Sequence, residues 1–495
     1  MWCILFCSKI GYTQSNFFFR HSYDTVPQSW AIDVKYANGK IYEYGFNEKP
    51  GWSTAELHLG IFDSQGYLEK ISKFDVSKDS TYYTPGLTGS LIVGRDSFIY
   101  GAGWQLTAQN KSQGELFKWT SNGELIKRTS FVNDSAIIFL YFEQSGDFFY
   151  AYGVMGDSFI AERSSNLLIK VDTDLNLIWS RTYEWDDIEL SRGIFATADS
   201  GVIFASTSGK YLDWYGRVVQ VDRNGDLVSD RPLPIGRGEC YLLDYNPTDG
   251  SMLIMRYVNT PNPNSNLDDI WHLYIHKLDS ALNQTWTKYW IADGSFPTGR
   301  IYNNLRNALR LDDFYILCGD NAVGGWVICL ADDGSKLWEA EYMNLQGVAL
   351  GIYPTFYYMT GIDTLPQKRG YVLSGSTSDT LDRQVAFIMS IDKNGCFSDD
   401  TCEAKQYVSI TYFDASIKVQ VFPNPIQDYV SIKVTNAQLN GAELIITDLL
   451  GRTVAKQTLL QELTTFSTQD WANGMYVWSL VEDGRLVRSG KLVKE

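Results

Sequence analysis

Histidine is scarce in this chain, with four in 495 residues, so a histidine-rich metal centre is hard to assemble. The seven cysteines (Cys3, Cys7, Cys240, Cys318, Cys329, Cys396 and Cys402) include no Cys-x-x-Cys pair, which excludes the usual zinc spacings. Basic residues are outnumbered 42 to 58, leaving a net charge of −16. An acidic chain repels phosphate backbones, so nucleic acid is not an expected partner, and docking on anionic lipid is disfavoured. No apolar run is long enough to span a bilayer; the one at the start, Met1-Trp2-Cys3-Ile4-Leu5-Phe6-Cys7, is short even for the core of a signal peptide. Neither a Gly-x-Ser-x-Gly elbow nor a Gly-x4-Gly-Lys-Ser/Thr phosphate loop occurs. No cofactor and no metal are expected from the sequence.

What the chain has in quantity is aromatic residues, 31 Tyr, 25 Phe and 15 Trp, together with 41 Gly against 13 Pro. Aromatics favour strands and glycines favour tight turns, so the chain reads as all-β. One unit recurs: an alternating strand, a turn rich in Asp, Asn and Gly, and a second strand. Its copies span residues 57–74, 116–131, 167–183, 217–233, 273–290, 326–342 and 386–402. Turns such as Asp222-Arg223-Asn224-Gly225 and Asp392-Lys393-Asn394-Gly395 are hairpin signals. A short apolar strand that often ends in Gly precedes each hairpin (97–103, 148–153, 314–319 and 370–375 among others). Further apolar stretches at 30–37, 136–142, 193–198 and 352–358 supply a fourth strand in several copies. Four-stranded repeats of roughly 50 residues predict β-propeller blades, and seven copies predict seven blades. The seventh hairpin lacks a good outer strand, whereas residues 16–23 resemble one; the N-terminal strand is therefore expected to complete the last blade and remove an open edge.

Residues 403–418 break the repeat and read as a linker. Beyond them Val430, Ile432 and Val434, then Leu444 and Ile446, then Tyr476, Trp478 and Leu480 alternate as strands of a small β-sandwich. This region carries Pro423-Asn424-Pro425, then Ile445-Ile446-Thr447-Asp448-Leu449-Leu450-Gly451-Arg452, then Asn473-Gly474-Met475-Tyr476-Val477, and finally Lys491-Leu492-Val493-Lys494-Glu495. It resembles the type A C-terminal sorting domain of the type IX secretion system of Bacteroidetes-type bacteria. The resemblance implies export across the outer membrane, the secretion machinery as a partner, and a secreted or cell-surface destination. Pro423, Asn424, Pro425, Gly451, Gly474, Tyr476 and Lys491 hold the positions that match the family pattern. The expected organisation is a signal-peptide remnant (1–15), a seven-bladed β-propeller (16–402), the linker (403–418) and an Ig-like β-sandwich sorting domain (419–495). Cys396 and Cys402 flank a short acidic loop and read as a local disulfide in an oxidising compartment, with two free thiols as the alternative.

Three patterns invite chemical readings. His272 and His276 lie four apart, but on a strand that separates them by about 13 Å, too far for one zinc. Asp172/Asp174 and Asp222/Asn224/Asp226 resemble fragments of a calcium loop but lack its full ligand set, and turn formation explains them. Asp332-Asp333-Gly334-Ser335-Lys336-Leu337-Trp338, with equivalent residues Trp179 and Trp286, resembles the Trp-docking repeat of quinoprotein propellers, where it packs neighbouring blades. No Asp box of the sialidase kind fits. A glycosidase needs only two carboxylates, and a single sequence cannot pick them from 58 acidic residues, so catalytic residues stay unassigned. The leading expectation is a secreted or surface propeller that binds a glycan or a protein; the sequence leans against an enzyme but neither supports nor excludes hydrolase activity. An extracellular polysaccharide hydrolase or lyase, and a surface scaffold or adhesin, are the alternatives.

Overall fold

A computed structural model describes residues 18–21, 28–48, 55–73, 80–109, 111–156, 164–186, 188–209, 214–261, 269–291, 304–321, 324–342, 357–366, 370–378, 384–397, 405–406, 418–435, 443–448, 453–459, 463–482 and 485–494. The chain forms two compact units: one holds residues up to Gln406 except Ser335–Leu337, and the other holds those three and Tyr407–Glu495.

The first unit contains seven antiparallel sheets. Blade 1 runs from the channel outward as Gln28–Ala37, Lys40–Glu48, Ala55–Asp63 and Leu68–Lys73. Blades 3, 4 and 5 repeat this order with inner strands Ala136–Ser145, Glu189–Ala196 and Glu239–Tyr245. Blade 6 starts at Asn304–Arg310, and its outer strand Lys336–Tyr342 is joined by Lys405–Gln406, two residues of the stretch expected as linker. Blade 7 consists of Tyr357–Leu365, Gly370–Ser378, Gln384–Ile391 and, as its outer strand, Phe18–His21. Phe18 opposes Met389 and His21 opposes Ala386, so the N-terminal strand closes the ring as the repeat count predicts.

Apolar clusters straddle neighbouring blades, because one blade has two apolar faces and cannot bury either alone. Tyr100 and Leu116 of blade 2 meet Phe139 and Phe149 of blade 3. Val34 and Phe62 of blade 1 meet Val372 and Ile388 of blade 7. The aromatic excess is spent largely here: Tyr42, Tyr44, Tyr83, Tyr100, Tyr150, Tyr152, Phe117 and Phe149 are fully buried.

The turns between third and outer strands form clasps. The first residue, usually Asp, folds back on its own turn: Asp172 Oδ1 accepts the N–H groups of Asp174 and Asn176, and Asp222 Oδ1 those of Asn224 and Asp226, at 2.8–2.9 Å. The carbonyl of the second residue is then free to receive the preceding blade. Lys170 Nζ and Trp179 Nε1 of blade 3 both donate to Arg223 O of blade 4, and Trp286 Nε1 of blade 5 donates to Asp332 O of blade 6. The indoles lie on the turn glycines: a Cβ on Gly225, Gly334 or Gly395 would fall 3.0, 2.6 or 2.5 Å from Trp179, Trp286 or Trp338. The tryptophans singled out in the sequence thus pack adjoining blades, and glycine is required where they land.

The second unit is a sandwich of two antiparallel sheets. One holds Lys418–Phe422, Tyr429–Thr435 and Leu463–Ser467; the other holds Thr453–Thr458, Glu443–Asp448, Gly474–Glu482 and Arg485–Lys494. Its core contains Val430, Ile432, Val434, Leu444, Ile446, Tyr476, Trp478 and Leu480, the set that period-2 alternation selects.

Candidate functional site

The inner strands share a local irregularity that builds a site. Their pairing with the second strands slips between Ala31 and Asp33, Phe139 and Tyr141, Ser191 and Ile194, Leu242 and Asp244, Leu305 and Asn307, and Met359 and Gly361. Each slip is a bulge, which re-aims the side chain of the extra residue. The glycines that end the second segments explain why the bulge is possible. A Cβ on Gly45, Gly153, Gly319 or Gly375 would lie 1.8–2.0 Å from an inner-strand carbonyl oxygen. Only glycine admits that approach.

Blade 2 goes further. Its innermost strand is broken into Ser80–Pro85 and Leu91–Val93; Gly86 N and Ser90 O still bond to Ala102, and residues 87–89 between them leave the sheet. Leu87 N donates to Leu140 O of blade 3, and Phe142 N of blade 3 donates to Gly89 O. Gly89 N and Leu91 N donate to Asp33 Oδ2 of blade 1, and Thr88 Oγ1 donates to Arg306 O of blade 6 at 2.9 Å. The segment therefore crosses the channel.

Beside it lies a cavity of about 520 Å³ to which all seven blades contribute, through residues such as Lys35, Ile92, Glu143, Arg192, Tyr241, Arg306 and Asp363. Its volume falls in the range of small-molecule sites. Tyr36, Tyr141, Phe142, Phe195 and Tyr241 supply aromatic wall. Two sets of charged groups share it. In the first, Lys35 faces three carboxylates. Burial works to discharge Lys35, but Asp33, Asp363 and Glu143 hold its pKa above the ordinary value. Burial pushes the Glu143 carboxyl up to about 7 against the pull of Lys35. Asp363 is also raised by burial, although Lys35 and the N–H groups of Tyr36 and Thr364 oppose this. In the second set, Arg192 donates to Glu239 Oε2 at 3.1 Å and lies 4.6 Å from the centre of the Tyr241 ring. Arg306 donates to Asp320 Oδ1 at 2.8 Å and lies 5.6 Å from the centre of the Tyr358 ring.

None of these residues stands out in the sequence. The available signal was the recurrent glycine, which marks the bulge and so indicates which inner-strand side chains reach the channel. The histidine pair lies on one strand, with His272 Nδ1 2.6 Å from the Tyr289 hydroxyl and His276 Nδ1 2.8 Å from Thr287 Oγ1. Among the described residues no group of three or more His, Cys, Asp or Glu is placed to hold a metal. No helix among them is long and apolar enough to cross a membrane. Cys240, Cys318 and Cys329 are buried free thiols. Cys396 is disulfide-bonded to a partner outside the described residues, where Cys402 also lies.

In the sandwich, the two ends of the domain meet. Asn424 Oδ1 accepts Val493 N at 2.9 Å, and Asn424 Nδ2 donates to Lys491 O at 3.2 Å. Ile426 N donates to Val493 O, and Lys494 Nζ donates to Gln427 O. Pro423, Asn424, Pro425 and Lys491 are exposed. Tyr476 is buried; its hydroxyl donates to Ala472 O, and its ring packs 5.0 Å from that of Trp471. Gly474 has φ +152°, in the region that favours glycine, and Gly451 lies outside the described residues.

Residues 420–495 match the family described as the secretion system C-terminal sorting domain. The chain therefore carries a type IX secretion sorting domain, engages that machinery, and is secreted or held at the outer cell surface. It has no sequence match among curated proteins. Solved structures of similar fold include the β-propeller domain of the Trilobed protease from Pyrococcus furiosus, at 9% identity, TM-score 0.41, over 77% of this chain and 97% of that one. Pyrococcus horikoshii acylaminoacyl peptidase matches at 8% identity and TM-score 0.42, over 83% of this chain and 58% of that one. Trypanosoma rangeli sialidase matches at 9% identity and TM-score 0.38, over 76% of this chain and 58% of that one. The chain thus spans little more than half the length of that peptidase and that sialidase. The seven paired sheets establish the propeller, and likenesses of this strength add nothing about activity.

Proposed function

We propose that this exported protein is a propeller-based binding module whose channel cavity receives part of a glycan. The observation that carries the reading is the cavity itself: every blade lines it, aromatic and charged side chains share its wall, and residues 87–89 cross the channel beside it. Aromatic faces bury sugar rings, and polar groups held in place by neighbours fix their orientation. A protein segment is the other ligand class that such a cavity accepts. One observation favours a second reading, a polysaccharide hydrolase or lyase: Glu143, at about 7, is poised to exchange a proton near neutral pH, with Asp363 in the same cavity. The test is a screen of the purified full chain against soluble polysaccharides and their oligosaccharides, scored for binding and for released product. Binding without product supports the module. Product that disappears in Glu143→Gln replaces it with the hydrolase, and an absence of both removes the glycan reading.

The sorting motif is read in the same way. Asn424 serves to hold the terminal strand in place, and exposed Lys491 is offered to the secretion machinery. Cys402 is the proposed partner of Cys396, a bond suited to the oxidising side of the membrane.

A further inference from the structure

Two of the bulged inner-strand positions hold arginine, and their surroundings repeat. Arg192 lies in the slip of blade 4, and Arg306 lies in the slip of blade 6. Each guanidinium sits over a tyrosine of the next blade's inner strand, Tyr241 in blade 5 and Tyr358 in blade 7. Both tyrosines stand two residues before the bulge of their own strand, at Leu243 and Thr360. Each arginine also gives one nitrogen to a carboxylate, Glu239 or Asp320. Blade 5 separates the two, and both line the cavity.

These are pre-organised donors. A guanidinium has five N–H groups in a rigid fork, and a carboxylate partner with a stacked ring fixes its plane without using all of them. Nε of Arg192 is buried without a partner among the described residues, so the donors left to a ligand are those of its terminal nitrogens. Lys35, the other cation of the lining, differs: one ammonium faces Asp33, Asp363 and Glu143 and has no charge to spare. A chain with net charge −16 does not draw anions to itself from a distance, so any anion preference must be created locally, by fixed donors of this kind.

We propose that Arg192 and Arg306 form a two-point clamp for an oxyanion on the bound sugar, either the carboxylate of a uronic acid or a sulfate ester. This deepens the glycan-binding reading and rests on it. The cavity then selects acidic over neutral glycans, with the sugar ring against the aromatic wall and the oxyanion between blades 4 and 6.

The test is calorimetric titration of the full chain with three oligosaccharides of matched length, one neutral, one made of uronic acid and one sulfated. At least one acidic ligand is expected to bind about tenfold more tightly than the neutral one, and the two acidic arms identify which oxyanion is read. Arg192→Met and Arg306→Met should each remove most of that preference, read as the ratio of acidic to neutral affinity within the same variant, and Arg306→Lys should retain it only in part. Denaturation midpoints confirm that the variants are folded; if a methionine variant unfolds, the partial loss in Arg306→Lys carries the test. Equal affinity for neutral and acidic ligands, or a preference that survives both methionine substitutions, overturns the clamp and leaves the binding module standing. Failure of all three ligands to bind overturns both.

Discussion

Two seams of the ring bury polar side chains, and they do so differently. Between blades 3 and 4 the surroundings of one buried carboxylate are filled, although Arg217 Nε nearby has no partner among the described residues. Glu189 is fully buried; its Oε2 accepts from Asn166 Nδ2, Ser206 Oγ and Ser208 Oγ, and its Oε1 accepts from the backbone N–H groups of Trp185 and Asp186. Ser191 Oγ reaches Gly153 O and Asn166 Oδ1, while the Tyr152 hydroxyl lies 2.7 Å from Asn166 Oδ1. Between blades 7 and 1, by contrast, His58 and Glu43 are fully buried 3.1 Å apart, but Asn47 has neither amide atom partnered among the described residues, nor do the hydroxyls of Ser374 and Ser376. The blade 3–4 seam is specified by a satisfied network. The closing seam is crossed by separate hydrogen bonds, from Thr360 Oγ1 to Ala31 O, from Ala386 N to Ser29 Oγ and from Tyr36 N to Asp363 Oδ2, and by an apolar patch that includes Val34, Phe62, Val372 and Ile388. A network that satisfies every member fixes one arrangement, whereas an unpartnered buried polar group costs stability and contributes no specificity.

The largest effect is expected at the satisfied seam. Glu189→Ala strands buried donors on both blades and should cost about 3–5 kcal/mol in denaturant unfolding, enough to separate the propeller's transition from that of the sandwich. An intermediate effect is expected at Glu143, an acid whose surroundings only partly compensate its charge. Its carboxyl titrates at about 7 in the folded chain, against an ordinary 4.5, so the folded state holds more protons between these values. Stability should therefore fall as pH rises through that window and level off above it. Glu143→Gln should flatten the fall and stabilise the chain at pH 8 by about 1–2 kcal/mol after screening, read from unfolding midpoints across pH. The smallest effect is expected at the closing seam. Asn47→Leu replaces an amide without partners by an apolar side chain of similar size and should change stability by less than about 1 kcal/mol, in either direction. A loss of several kcal/mol there would show that the two seams are held alike.

The sequence was legible where one residue type did one job. Asp-x-Asn-Gly turns, tryptophans on outer strands and alternation in the sandwich each answer to a local rule, and each element is present. Inner strands were the hard part. Those at Glu239–Tyr245 and Asn304–Arg310 raised no expectation, and that of blade 7 begins at Tyr357, where 352–358 was expected. The cause is physical: an inner strand presents a polar channel on one side and interrupts its own period with a bulge. Arg306, in Asn304-Leu305-Arg306-Asn307, reads as a surface residue until the bulge and the Tyr358 ring reveal its place. The cavity-lining side chains sit where periodicity fails, so the pattern that marks the blades does not mark the candidate site.

A ring of blades can in principle breathe, since each seam tolerates a small rotation and seven such rotations add up to a change in diameter. The hydrogen bond from Thr88 to the Arg306 backbone makes a chord across that ring. With Asp33 anchoring the same segment from blade 1, the span between blades 1, 2 and 6 is braced. The width of the cavity is then set by a strut inside the protein, and a ligand of the kind proposed would meet an opening of fixed gauge.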